Sequence, residues 1–522
     1  MFKLFLSFFH LGGEIMRNFL IFVLFSRVYA EVRSLDEESP FQRSVVQKFY
    51  EVVSNKNLPV VQSGPITFFE DTSCISSTFS YMVKILSPNN RLIGDFDNNG
   101  YNDIVSAYVY DANCFGAIVG CFQNSSGNFI FKRINTEYLA CPYGISAHDL
   151  NNDGRTDFVY VDAGAGEVMR LINNGNQNFS DQYVVVSSVS DTFYYINHVA
   201  VISPNEILFT DEGRSSGQNQ GLHRWNGISS SKINNYCTEG LAIGDLDNNG
   251  QTDAVCTRGY FRSPGNVVFQ LKQGVNWSSV YNVTSSPGNF HGVAVGDINN
   301  DGRLDVVFTD DQNDAVVVYR NNGGSPPSFS QLTSVPVSSN LMGSEATLYD
   351  LDCDGDLDII WSRGMGRREG YTQPGPALGW IRNPTIGGGG WTNYIIDNSI
   401  NSNYGAVVGL VNNDTRPDIV VGGHNTDAFE MAFLRIFYNV AGGNCGTTPV
   451  GNNETDSDLS LVIKNKKVIL ISKVYDKTKF FIYSTSGQKV FEDYLMGQAE
   501  VPLKSGSYIL RFKDKLIPFI VN

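Results

Sequence analysis

The sequence predicts an all-β protein: a seven-bladed β-propeller followed by a small antiparallel β-sandwich. Three observations predict it. An acidic nonapeptide recurs five times, with first residues at 95, 149, 245, 297 and 350. Short β-branched runs flank the copies, as in Ile104-Val105, Val306-Val307 and Ile359-Ile360. The last stretch, 458–522, lacks the nonapeptide and is rich in closely spaced lysines.

Taken in chain order, residues 1–30 read as a secretory signal. Arg17 gives a basic start, an apolar core follows, and Val28-Tyr29-Ala30 gives the cleavage pattern. Met16 begins a conventional signal, so residues 1–15 read as an extended start. The alternative is a membrane anchor, but the apolar core is shorter than the ~20 residues a span needs. In residues 31–59, Ser39-Pro40 and the apolar spacing that follows predict one short amphipathic helix within 39–54.

Residues 60–441 carry the repeats. Each nonapeptide reads D-x-[DN]-x-[DN]-G-x-x-D. Its ligand candidates are Asp95, Asp97, Asn99 and Asp103; Asp149, Asn151, Asp153 and Asp157; Asp245, Asp247, Asn249 and Asp253; Asp297, Asn299, Asp301 and Asp305; and Asp350, Asp352, Asp354 and Asp358. The position-7 residues Tyr101, Arg155, Gln251, Arg303 and Asp356 complete each set. Calcium is a hard cation that takes six to eight oxygens, and a glycine at position 6 permits the sharp turn around it. Five copies with the same positions filled point to about five bound calcium ions rather than ordinary Asx turns. An EF-hand is excluded, because position 12 is Ser106, Tyr160, Cys256, Phe308 and Trp361 where a bidentate Glu is required. The apolar flanks predict a strand on either side of each loop, so each loop closes a β-hairpin.

The steps between first ligands are 54, 96, 52 and 53 residues. The long step hides a decayed copy around 198–211, and Gly409–Val420 is another, with Leu410 in place of the first Asp and Thr415 in place of the Gly. Seven repeats of this length, with about four strands each, predict propeller blades. Strand, Asn/Gly turn, aromatic and strand recur between the loops, as in Ala315–Gly324 followed by Phe329. These repeats resemble the FG-GAP/VCBS family, the calcium-bearing blades also found in integrin α-subunits. The resemblance implies a seven-bladed propeller with its calcium loops between the first and second strands of a blade. The family is functionally mixed, so the fold does not name a function.

The net charge of −15 is largely metal-ligand charge on this reading, since five Ca²⁺ would leave about −5. Nucleic-acid binding is therefore disfavoured. Eight cysteines in a secreted chain allow disulfides, and Cys237–Cys256 and Cys114–Cys121 are the expected pairs. No H-E-x-x-H, G-x-S-x-G or P-loop pattern occurs.

Residues 442–457 form a polar linker, and 458–522 read as the β-sandwich. Phe481–Phe491 followed by Leu503–Leu510 resembles the C-terminal sorting domain of the type IX secretion system, with Pro518 a departure inside the last strand. That resemblance implies export, with release or surface attachment; a generic accessory β-sandwich is the alternative.

Function is expected to lie on the propeller face opposite the calcium loops. The segments before strand one and between strands two and three hold Tyr143, His291, Tyr404, Tyr260, Arg363, Arg367, Arg368 and Tyr371. Aromatics with arginine suit sugar stacking and protein hot spots. The expectation is a secreted or cell-surface adhesion or recognition module for glycans or proteins, not an enzyme. A calcium-dependent polysaccharide-degrading platform and a non-catalytic scaffold are the alternatives.

Overall fold

The computed structural model describes residues 60–441 except 78–81, 111–113, 126–127, 186–195, 214–219, 259–263, 338–340, 342, 365–375, 387, 399–401, 413–415 and 426–430. Beyond 441 it describes only the strand residues between 454 and 521. The expected signal, the 39–54 helix and most of the linker lie outside the described residues. Every regular element among the described residues is a strand, and none is a helix long and apolar enough to cross a membrane.

Seven antiparallel sheets follow one another along 60–441. Their first strands are Met82–Lys84 with Ile93–Gly94, Pro142–His148, Ile196–Ser203, Leu241–Gly244, Phe290–Gly296, Glu345–Tyr349 and Ser402–Gly409. Each sheet runs outward through strands two, three and four, so the seven expected blades are all present, including the two decayed ones. The first strands are joined blade to blade. Ile145 N–H donates to Leu86 O at 2.9 Å, Gly292 N–H to Ser344 O at 2.9 Å, and Ile85 N–H to Tyr404 O at 2.9 Å. Gly292 permits one such approach, since a Cβ there would lie 2.6 Å from the Glu345 Cα.

The ring closes by a device that the repeat pattern does not announce. Blade 7 takes only three strands from the end of the repeats: Ser402–Gly409, Asp418–Asn425 and Met431–Ala441. Its fourth is Ile66–Ser77, from before the first repeat, and Val60–Ser63 adds a fifth. Phe68 on that strand is fully buried and meets Phe437 edge-on at 6.4 Å. Closure therefore rests on pairing between distant parts of the chain, which abolishes two open sheet edges.

Disulfides add covalent ties, one of them at the closure. Cys74 on the closing strand bonds Cys121 of blade 1, Cys114 bonds Cys141, and Cys237 bonds Cys256. Cys353 is also disulfide-bonded. The expected Cys237–Cys256 pair forms; the expected Cys114–Cys121 pair does not. Cys114 immediately precedes the extended strand Phe115–Gln123 and Cys121 lies within it, and at about 3.3 Å per residue the strand holds them far beyond the reach of a disulfide.

The C-terminal region forms two four-stranded antiparallel sheets, as expected of a sandwich. The first begins inside the stretch assigned to the linker, because Glu454–Thr455 pairs with Ser460 and Leu461. Pro518 sits on the outermost strand, opposite Ile509, where its missing N–H costs no ladder bond.

Replacing Phe68 by Ala should lower stability by about 3–5 kcal/mol, read as a shift in the urea midpoint. A loss below about 1 kcal/mol would show that the closing strand does not hold the ring together.

Candidate metal loops and an axial polar ring

Each nonapeptide joins strands one and two of its blade. The last residue before each loop pairs with its ninth residue: Gly94 with Asp103, His148 with Asp157, Gly244 with Asp253, Gly296 with Asp305 and Tyr349 with Asp358. Within the first loop, the Asp95 carboxylate accepts from Asn99 N–H at 2.9 Å and Gly100 N–H at 2.8 Å. Asp149, Asp245 and Asp297 repeat both bonds. The residue at position 4 adopts φ near +60° throughout: Asn98, Asn152, Asn248, Asn300 and Cys353. Four are Asn, which tolerates that region well.

These turns bring carboxylates together. In three loops, one oxygen from each of positions 1, 3 and 9 lies within 4.8 Å of the others: Asp95, Asp97 and Asp103; Asp245, Asp247 and Asp253; Asp350, Asp352 and Asp358. In the fifth loop, Asp350 Oδ1, Asp352 Oδ1 and Asp356 Oδ1 are buried without a hydrogen-bond partner. Convergent, partly orphaned oxygens are the chemistry of a hard divalent cation. The position-7 arginines act differently from ligands where their side chains are concerned. Arg155 pairs with Asp153 at 2.6 Å and Arg303 pairs with Asp301; in the fifth loop, where position 7 is Asp356, Arg382 at the end of strand three pairs instead with Asp352 and Asp354 at 2.7 and 3.1 Å. They offset part of the acid charge in three of the five loops.

The ninth residue has a second role that the motif conceals. Its carboxylate is fully buried in all five loops. One oxygen accepts from the N–H of position 2, as in Phe96 to Asp103 at 2.9 Å and Ile298 to Asp305 at 3.1 Å. The other accepts from an N–H of strand three, as in Gln123 to Asp103 at 2.8 Å and Asn321 to Asp305 at 2.8 Å. In the decayed seventh copy Asp418 makes both bonds, to Val411 and Asn439 at 2.9 Å. Where strand three supplies an Asn, its buried side chain donates to the position-2 carbonyl of the preceding blade's loop. Asn173 reaches Phe96 O at 2.8 Å, Asn321 reaches Leu246 O at 2.9 Å, Asn383 reaches Ile298 O at 2.7 Å and Asn439 reaches Leu351 O at 3.4 Å. These Asn residues opened what reads in sequence as a turn; they are latches between blades.

Burial raises the ninth carboxyls against the pull of their N–H donors, and the neighbouring loop acids push them further. Asp103 reaches about 7, Asp253 and Asp305 about 6 and Asp358 about 8, with Asp157 raised as well.

At the opposite end of the first strands, every blade contributes one residue to a polar ring: Lys84, Tyr143, His198, Glu239, His291, Glu345 and Tyr404. The Lys84 ammonium sits 3.6 Å from the Tyr143 ring centre and 5.9 Å from that of Tyr404. His198 and His291 flank Glu345 at 3.3 and 3.2 Å, and His291 lies 3.7 Å from Glu239. Burial would raise Glu345, but the two imidazoles hold it at about 2. Burial would lower His291, yet Glu345 carries it to about 10. Burial lowers Lys84 to about 7 and raises Glu239. A cavity of about 190 Å³ adjoins the ring, with His198, Glu345, Asn89 and Asn90 in its wall.

Of the residues expected on this face, Tyr143, His291 and Tyr404 thus come together, with His291 buried rather than exposed. Arg363 is also buried, its backbone N–H bonded to Ala377 O and its carbonyl to Asn403 N–H. Neither side chain is exposed as expected: His291 belongs to the buried polar ring and Arg363 lies in the interior. Tyr260, Arg367, Arg368 and Tyr371 lie outside the described residues. Lys84, Glu239 and Glu345 were not singled out by sequence, since only the alignment of first strands shows that they share a register.

Comparison with known proteins agrees with the repeat reading. Residues 245–308 and 297–361 match the FG-GAP-like repeat family. No curated protein matches the chain. A solved Agrocybe aegerita lectin, described as recognising non-reducing terminal N-acetylglucosamine, is similar at 15% identity and TM-score 0.31, over 72% of this chain and 94% of the lectin. Oligogalacturonate lyase from Vibrio parahaemolyticus is similar at 10% identity and TM-score 0.42, over 73% of this chain and 99% of the lyase. Both are too distant to bear on function.

Two outcomes are expected. Asn321→Ala should cost about 1–3 kcal/mol by orphaning the buried Leu246 carbonyl, and the loss should persist in EDTA; equal stability of variant and parent in EDTA would refute the latch. The raised ninth carboxyls keep protons in the fold that the unfolded chain has released above its value of 3.8. Metal-free protein should therefore lose stability from pH 5 to pH 7, and His291, raised from 6.5 to about 10, continues the loss above pH 6.5. Urea midpoints in EDTA that rise over this range would contradict the assignment.

Proposed function

We propose that this protein is a calcium-stabilised propeller that recognises glycans or proteins outside the cell. The observation that carries the reading is the convergence of three loop carboxylates within 4.8 Å, repeated in three blades at the same turn. Asp95, Asp97 and Asn99 side chains, the Tyr101 backbone and Asp103 would hold one ion, and the equivalent residues of the other four loops would hold the rest. A bound cation would quench the repulsion among these acids, so its affinity would add directly to folding stability. The ion serves as a clip in this reading, and recognition belongs to the opposite face. Disulfides among the described residues favour an oxidising compartment, in keeping with the signal read in 1–30. Residues 458–522, with their sorting-domain resemblance, would serve delivery.

EDTA should lower the melting temperature by more than about 10 °C if several sites act together, and calcium should restore it. Asp301→Ala should remove one ion from the stoichiometry measured by calorimetry and leave the others. An unchanged melt in EDTA would sink the calcium reading. Deleting 458–522 should leave a calcium-binding propeller that is no longer exported; normal export of the truncated chain would remove the delivery role.

A further inference from the structure

The large exposed aromatic side chains among the described residues, other than Tyr236, gather on one blade. Among the described residues, Phe115, Phe131 and Tyr138 are 50%, 39% and 72% exposed, and all three belong to the outer part of blade 1. Tyr110 joins them, with its ring 6.1 Å from that of Tyr138. Behind Phe131 lies Tyr108 at 5.5 Å. Phe115 opens strand three and Tyr138 lies in the segment leading to blade 2, so both belong to the face opposite the metal loops.

The platform is rigid. Cys114 and Cys141, disulfide-bonded, staple the two segments that carry Phe115 and Tyr138. Cys141 N–H donates to Cys114 O at 2.6 Å. Thr136 N–H donates to Asp181 Oδ2 of blade 2 at 2.6 Å, and Asn135 Oδ1 accepts from Ile118 N–H at 2.9 Å. Ordering cost on binding is therefore low.

A cation completes the patch. The Arg133 guanidinium lies 4.2 Å from the Tyr138 ring centre, on one face of it. Among the described residues its guanidinium makes one hydrogen bond, from Nη2 to Thr136 O, and its Nε is buried without a partner. No carboxylate pairs with Arg133 among the described residues, although the chain is strongly acidic. An arginine left unpaired beside a stacking platform matches an anionic ligand with an apolar ring face.

We propose that Tyr138, Phe131 and Arg133 form a binding site for an acidic sugar. A uronate ring would stack on the exposed aromatics, and its carboxylate would accept from Arg133. The proposal rests on the recognition reading above and commits it to one blade and one ligand class.

The test is isothermal titration of the full calcium-loaded chain with tetragalacturonate and with neutral cellotetraose. The parent should bind the acidic sugar and discriminate against the neutral one. Tyr138→Ala should weaken binding by at least about tenfold with an unchanged melt, since the side chain is largely exposed. Arg133→Gln should abolish the preference for the acidic sugar. If the parent binds tetragalacturonate and both variants bind it equally, this site is wrong while the recognition reading stands. Equal binding of both sugars by the parent removes the role of Arg133. If the parent binds neither sugar but captures a protein ligand through Tyr138, the ligand class is wrong. If it binds nothing that calcium removal abolishes, the recognition reading fails as well.

Discussion

The structure depends on a buried carboxylate that serves two masters. The ninth acid of each loop closes the hairpin between strands one and two and, with its other oxygen, fixes strand three. Placing such a group in the interior costs several kcal/mol unless it is hydrogen-bonded. Here each oxygen has a backbone donor, so the group organises three strands at once. Asp418 keeps both bonds although its loop has lost the first Asp and the Gly. That it does so in a copy without positions 1 and 6 of the motif assigns it a role in folding separable from any ion.

From that acid the order spreads in two directions. Outward, the strand-three Asn beside it latches onto the next loop back, so consecutive blades share a hydrogen bond at the loop face. Inward, the first strands bond to one another and end in the polar ring around Glu345. The two rings lie at opposite ends of the same strands. Between them the blades pack through apolar side chains such as Phe158, Phe308 and Trp380, all almost fully buried. The remaining acids of the loop are left to meet a cation or an arginine.

Much of this was legible in the sequence. The strand–loop–strand reading, the seven blades and the decayed copies followed from the spacing and from Leu410 and Thr415. The elements that escaped were those set by long-range partners. Ile66–Ser77 carries no repeat signature, so nothing local marks it as the fourth strand of blade 7. Cys121 finds Cys74 through that same closure. Asn173 and Asn321 look like turn residues because the Asn-Gly that follows is a turn, and their burial becomes apparent only when the preceding blade is in place. His291 and Arg363 lie in segments that leave the strands on the expected face, but side-chain burial there is decided by neighbouring blades. The exposed patch of blade 1 was missed for the opposite reason: Phe115, Phe131 and Tyr138 look like ordinary strand residues.

Hydrogen exchange in EDTA tests the separable role of the ninth acid most directly. Amides bonded to it, those of Phe96, Leu246, Ile298 and Val411, should stay protected when calcium is absent. Those of Asn99, Gly100, Asp301 and Gly302, which answer only to the loop tip, should exchange freely. Loss of protection at both sets together on chelation would show that the carboxylate holds nothing without the ion, and the account would fail.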